Sequence, residues 1–312
     1  MMRVSAPGLD IAIMTRPYGG AVLRAAVAAV LAATICSIGA ARAPAAGRAD
    51  ASVFAGLATW VDIYDGPVYA APERVAQRMA DRRVATAWIE TANFAAPADV
   101  VDPVRLGRVV DALHARGVRA VAWYLPGHVK PALDARRALA MLSFRTASGG
   151  AFDGIALDIE STKLRNVALR SRRAVALAAQ LRQAAGDTPL AIVPFNPRGL
   201  ERRPQTWPGF PWEALAANAD AFAPMIYTGG GLTGFDATYG YVTRALRLLR
   251  VETNQPDVPI HVIGGVANRM GPDELAGFVA AVSDDGETIG VSLYDWLTTT
   301  PRAWKALEPL TE

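Results

Sequence analysis

The sequence predicts an α/β protein folded as a single (β/α)8 barrel, and three observations predict it. Eight apolar, strand-like runs alternate with eight helical stretches between residues 53 and 308, at an even spacing of about 31 residues. The runs are near-continuously apolar, as in Ala-Asp-Ala-Phe-Ala-Pro-Met-Ile-Tyr at 219–227. Parallel strands buried on both faces have this pattern. No Gly-x-Gly-x-x-Gly follows the first run, and an open doubly wound sheet rarely needs eight evenly spaced units. A chain of 312 residues, 52% of them hydrophobic, has room for one barrel of about 250 residues.

The units are expected as follows. The first strand, at 53–61, precedes a helix at 72–82, and the second, at 84–90, precedes one at 103–116. The third pair lies at 118–124 and 132–145, and the fourth at 152–159 and 167–185. The fifth strand, at 190–195, leads to a short helix at 212–217; the sixth, at 219–227, leads to a helix at 234–250. The seventh pair is 259–264 with 272–283, and the last is 288–294 with 301–307. Pro72, Pro103, Pro272 and Pro301 open helices, where the missing N–H costs nothing. Gly117 stands where a helix C-cap glycine belongs.

Residues 1–46 read as a leader, not as fold. Arg16 and Arg24 precede an uncharged run of 17 residues at 25–41, followed by Ala41-Arg42-Ala43. A positive start, a short apolar core and a small-x-small exit describe a secretory signal peptide. The run is short and Ala-rich for a membrane span, which takes roughly 20 strongly apolar residues. Cys36 lacks the small neighbour of a lipid-attachment site, and no Arg-Arg pair precedes the run. Met14 offers an alternative start. The expectation is therefore an exported protein with no stable membrane anchor after cleavage, and a monomer.

Cleavage also redraws the charge. The whole chain carries +3 and has a pI near 9.2. Without residues 1–46 it holds 28 basic and 28 acidic side chains and no Cys. The basic balance belongs to the export signal, so nucleic acid is not an expected partner. Arg-rich stretches at 165–173 and 244–250 have helical spacing and read as solvated outer faces.

In such a barrel, chemistry gathers at the C-terminal ends of the strands. The fourth strand ends in Ala156-Leu-Asp158-Ile-Glu160. Side chains two apart share a face, so Asp158 and Glu160 rise together if that face is the lumen. Two carboxyls this close cannot both ionise freely, and one is driven to hold a proton. A protonated carboxyl is what glycosidic-bond cleavage needs as its acid. Strand-end acids that merely bind helix N-termini or an Arg are the plainer alternative. Glu90, Asp295 and Asp62 stand at other strand ends as second carboxylates. A separation of about 5 Å from Glu160 implies a nucleophile; about 6.5–9.5 Å leaves room for water.

These residues resemble glycoside hydrolase family 18, the chitinase-type barrels. That family carries Asp-x-x-Asp-x-Asp-x-Glu on its fourth strand; here Asp153, Asp158 and Glu160 match and Ala156 replaces the middle Asp. Its sixth strand ends in Met-x-Tyr-Asp, matched by Met225 and Tyr227 with Thr228 in place of Asp. Its eighth strand ends in a Trp under the sugar, where Trp296 falls. The resemblance implies Glu160 as general acid, Asp158 as its partner, Tyr227 as a substrate-positioning group and a carbohydrate substrate. In the family the substrate's N-acetyl group is the nucleophile, oriented by the sixth-strand Tyr and Asp. Ala156 and Thr228 depart from that pattern and leave open a non-catalytic, glycan-binding barrel.

Aromatic residues add to the sugar reading. Trp60, Trp88, Trp123 and Trp296 fall near strand ends, and Trp207-Pro-Gly-Phe-Pro-Trp212 follows the fifth strand. That loop either stacks on pyranose faces or packs over the barrel top; Trp304 reads as core. The three His are scattered and no metal-binding spacing occurs, so neither metal nor cofactor is expected. His128 is a loop residue, expected at the surface. Gly264-Gly265 after the seventh strand is a weak phosphate-loop signal. No Gly-x-Ser-x-Gly occurs, which leaves an esterase unsupported.

Overall fold

The computed structural model describes residues 49–311 apart from Gly230, so the leader at 1–46 lies outside the described residues. Eight parallel strands close into a barrel in sequence order, and the first pairs with the last. They are β1 (Gly56–Val61), β2 (Thr86–Asn93), β3 (Arg119–Leu125), β4 (Gly154–Ile159), β5 (Leu190–Pro194), β6 (Ala221–Phe222), β7 (Ile260–Gly264) and β8 (Thr288–Leu293). The helices are α1 (Gly66–Ala70), α2 (Pro72–Asp81), α3 (Pro103–His114), α4 (Pro131–Ser143) and α5 (Val167–Ala185). After them come α6 (Pro197–Arg202), α7 (Trp212–Ala216), α8 (Phe235–Glu252), α9 (Pro272–Asp285) and α10 (Pro301–Leu307). Among the described residues no helix is long and apolar enough to cross a membrane.

The expected units are all present, and the prolines at 72, 103, 272 and 301 lie in the first turn of their helices. The sixth strand departs from the expectation of 219–227. Its ladder spans only Ala221–Phe222, with one further bridge from Met225 to Ile263. Pro224 has no N–H to give a ladder; its carbonyl instead accepts from the Ile263 N–H at 3.2 Å. Helices α1 and α6 are additional short elements, absent from the sequence-based reading.

Two apolar cores follow from the two faces of the strands. The outer one packs the strands' lipophilic outward residues against the helices. The inner one fills the lumen with Trp60, Trp88 and Trp123 set among Ala58, Ala156, Ala191, Ala221 and Ala223. Large beside small is how a tapered lumen fills without voids. Ala156 is the direct partner of Trp123 across the β3–β4 ladder, so alanine occupies the motif's middle position beside the bulk of an indole.

The base of the lumen is closed by a single 3₁₀ turn, Ala51–Phe54, whose Phe54 stacks on Trp88 at 5.3 Å. The Phe54 carbonyl accepts from His261 Nδ1 at 2.7 Å. The other ring nitrogen of His261, Nε2, therefore accepts from Ser292 Oγ at 3.0 Å, and Ser292 Oγ accepts from Trp60 Nε1 at 2.8 Å. Burial pushes His261 down to about 4, so it is neutral and this tautomer is fixed. Gly290 makes the closure possible: a Cβ there would lie 2.3 Å from His261 Nδ1 and 2.5 Å from the Phe54 carbonyl.

Candidate active site

At the opposite, C-terminal end, the lumen opens into a cavity of about 280 Å³ to which every strand or its following loop contributes a side chain. The acids come from three places: Asp62 after β1, Glu90 on β2, and Asp158 and Glu160 at the end of β4. The aromatic walls are Trp60, Trp123, Tyr227, Tyr294 and the rim residue Tyr64. Val193, Met225 and Ile263 form the apolar side. The strand alternation puts Ala156 in the lumen core and Asp158 and Glu160 above it on the same face.

Glu90 is held in place. Its Oε2 accepts from the Ile63 N–H at 3.1 Å and its Oε1 from Asn93 Nδ2 at 3.0 Å. Asn93 reaches inward because the ladder shifts register between Glu90 and Ala92. A bulge of this kind turns an odd-numbered residue onto the even face. Both carboxylate oxygens of Asp62 accept from the Tyr294 hydroxyl at 2.8 Å. Asp158 differs: it is only 6% exposed, and its Oδ1 has no hydrogen-bond partner among the described residues. Trp123 Nε1 is likewise buried without a partner.

Burial dominates the electrostatics. It raises Asp158 well above the usual carboxylate range, and repulsion from Glu160, Glu90 and Asp62 adds to the effect. Burial raises Glu160 as well. Burial likewise lifts Glu90 to about 7, against its two hydrogen bonds. Asp65, just outside the cavity, reaches about 7 for the same reason, and Asp62 is raised as well. The Tyr227 phenol is held protonated by its burial and by the acids around it. A cluster like this shares a few protons among several carboxyls near neutral pH.

Trp296 requires a correction. Its ring is not under the cavity but outside the barrel, 5.5 Å from Trp304 on α10 and with the Arg78 guanidinium of α2 at 5.3 Å. The strand ends at Leu293, and the Asp295 carboxylate and carbonyl then cap a turn over Thr298 and Thr299, which redirects the chain. Tyr294 takes the inward position instead. Two-residue alternation from Ser292 could have located it. Asp295 is corrected too: it does not line the cavity, and it neighbours Asp62 and Asp65, their carboxylate oxygens lying within 4.8 Å of one another. That trio has the donor set of a hard cation. Each member is already engaged, by Tyr294, the Asp62 N–H and the Thr298 N–H respectively.

Several other expectations resolve by packing. Asp153 lies at the far end of β4, where its Oδ2 accepts from the Ala120 N–H at 2.7 Å and bonds His114 Nε2 at 2.9 Å. Thr228 is buried, its N–H donating to the Gly265 carbonyl at 2.7 Å, and its side chain is not in the cavity wall. The Trp207–Trp212 loop is packing: Trp207 lies under the Arg170 guanidinium at 3.9 Å and against Phe210 and His128. Arg170 and His128 are consequently buried and not at the surface. The α2–α3 and other peripheral arginines do form exposed ion pairs.

No protein-family model and no curated protein sequence matches the chain. Solved structures do. A class V chitinase from Pseudomonas fluorescens superposes with a TM-score of 0.58 at 15% identity, over 83% of this chain and 100% of that one. A chitinase from Chromobacterium violaceum gives 0.58 at 15% identity, over 81% and 98%. The PgaB glycoside hydrolase domain from Bordetella bronchiseptica gives 0.56 at 13% identity, over 83% and 99%. The chain therefore has the (β/α)8, or TIM, barrel fold, and over about four fifths of its length that fold is similar to those of solved chitinases and a related glycoside hydrolase domain.

Proposed function

We propose that the protein is an exported glycoside hydrolase in which Glu160 is the general acid. The observation that carries this reading is the Asp158–Glu160 pair, two carboxyls raised by burial that line one aromatic-walled cavity at the C-terminal end of the barrel. Glu160 gives its proton to the glycosidic oxygen as the bond from that oxygen to the anomeric carbon breaks. A water oxygen bonds the anomeric carbon, and the water's proton passes to a carboxylate of the same cavity, Asp62 or Glu90. The proton taken up there returns to Glu160 through solvent and resets the acid, and Asp158, the deeper carboxyl, keeps Glu160 protonated by its proximity. Trp60 and Trp123 offer ring faces to the sugar, while Tyr227 and Met225 border it. The leader supports export, and the neighbouring folds support carbohydrate as the substrate class.

The test is a polysaccharide panel run with the purified chain and with Glu160→Gln. Loss of a general acid costs about 10²–10⁴-fold in rate, so hydrolysis falls by that factor while the circular dichroism spectrum stays unchanged. Equal turnover by the variant rejects Glu160 as the acid. Sugar binding with no hydrolysis by either protein favours the non-catalytic barrel that Ala156 and Thr228 leave open.

A further inference from the structure

We propose that the sugar seated in this cavity carries a free, protonated amino group, making the substrate an amino-sugar glycan that is at least partly unacylated. This rests on the glycoside hydrolase reading above and names its substrate class.

The first ground is charge without compensation. Asp62, Glu90, Asp158 and Glu160 line one small cavity, and among the described residues no Arg, Lys or His lines it with them. Among the described residues none of these four acids takes part in an ion pair, although exposed acids elsewhere pair repeatedly with arginine. Buried carboxylates are normally paired. A cation is the partner that such a cluster of acids accepts.

The second ground is hydrogen-bond polarity. Three donors of the wall are spent internally, Trp60 Nε1 on Ser292, the Tyr294 hydroxyl on Asp62, and Asn93 Nδ2 on Glu90, while Trp123 Nε1 is a buried donor without a partner among the described residues. Acceptors remain, and the buried, unpartnered Asp158 Oδ1 is one of them. An ammonium is three donors and no acceptor, so it complements this wall. An N-acetyl group offers these acids a single N–H and no charge.

The third ground is the aromatic lining. Trp60, Trp123, Tyr227 and Tyr294 surround the acids, and ring faces attract organic cations. A bare divalent ion takes oxygen ligands alone, whereas these walls set carboxyls among aromatic rings. A cation entering also allows a further carboxyl to ionise, so its binding releases a proton. The titratable groups facing it are Asp62 beyond β1, Glu90 on β2, Asp158 and Glu160 on β4, and the phenols Tyr227 and Tyr294.

The experiment is calorimetric titration of the full chain with methyl glycosides of glucosamine and galactosamine, their N-acetyl forms and the parent hexoses. Single-ring ligands remove any dependence on linkage. An amino sugar binding at least tenfold tighter than both counterparts is the expected result, with an enthalpy that changes with buffer as a proton is released. Asp62→Asn lowers that preference. Equal or tighter binding of the N-acetyl or parent sugars overturns the amino-group proposal and leaves the hydrolase reading standing. Binding of calcium or magnesium ions with no sugar binding overturns it in favour of a metal site. Failure of every sugar, together with no hydrolysis on the polysaccharide panel, removes both readings.

Discussion

Asp65→Asn tests the uncompensated acidity of the barrel mouth through stability alone. Asp65 is 6% exposed; its Oδ2 accepts from the Asp62 N–H at 3.0 Å, and it is surrounded by Asp62 and Asp295. Burial raises its carboxyl from 3.8 to about 7. The folded state therefore holds a proton that the unfolded chain has released, between about pH 4 and pH 7. In that window unfolding is favoured by rising pH, with the sign opposite to that of a salt-bridged acid. Three units correspond to about 4 kcal/mol as a ceiling, and partial relaxation of the mouth on ionisation reduces this to about 2–4 kcal/mol. Asparagine keeps an oxygen for the Asp62 N–H and brings an amide donor toward the neighbouring carboxylates, but cannot ionise. Below about pH 4 the variant and the parent have equal stability. The gap opens as pH rises and is complete by about pH 8, where the variant melts roughly 5–10 °C higher. Thermal unfolding followed by circular dichroism across that range measures it. A gap that does not widen with pH, or a variant less stable at pH 8, refutes the burial argument for this whole cluster.

Three further outcomes follow from the packing. Trp296→Ala removes an indole wedged between α2 and α10 and costs about 3–5 kcal/mol in denaturant unfolding, while sugar affinity at permissive temperature is unchanged; a loss of affinity alone would restore Trp296 to the sugar site. Tyr64→Ala does the reverse. The side chain is 76% exposed at the cavity rim, so stability moves by less than about 0.5 kcal/mol while sugar affinity, measured by titration, drops severalfold. Gly290→Ala forces a methyl group to 2.3 Å from His261 Nδ1 and destabilises by about 1–3 kcal/mol or more, read as a lower urea midpoint with an unchanged slope.

Much of the site was legible because its signals are local. The even βα spacing and the continuous apolar runs mark a barrel wherever they occur, and a two-residue period alone puts Ala156, Asp158 and Glu160 on one face. Position at the end of the fourth strand then marks the pair as an active-site candidate. Position in the chain could not say which side chain faces in after a strand ends. Tyr294 and not Trp296 enters the cavity because the turn at Asp295–Thr299 overrides the alternation, and Asn93 enters because a register shift does. The Trp207–Trp212 loop offered aromatic rings equally suited to sugar or to packing, and the Arg170 guanidinium and His128 decide for packing.

The sequence by itself determined the architecture and the acid pair, since both are written in short-range periodicity that the backbone must obey. Only the tertiary structure decided that the pair belongs to a four-acid cavity without a cation. Asp62, Glu90, Asp158 and Glu160 come from three strands that meet only when the barrel closes. Their protonation is set by that meeting, through shared burial and mutual repulsion.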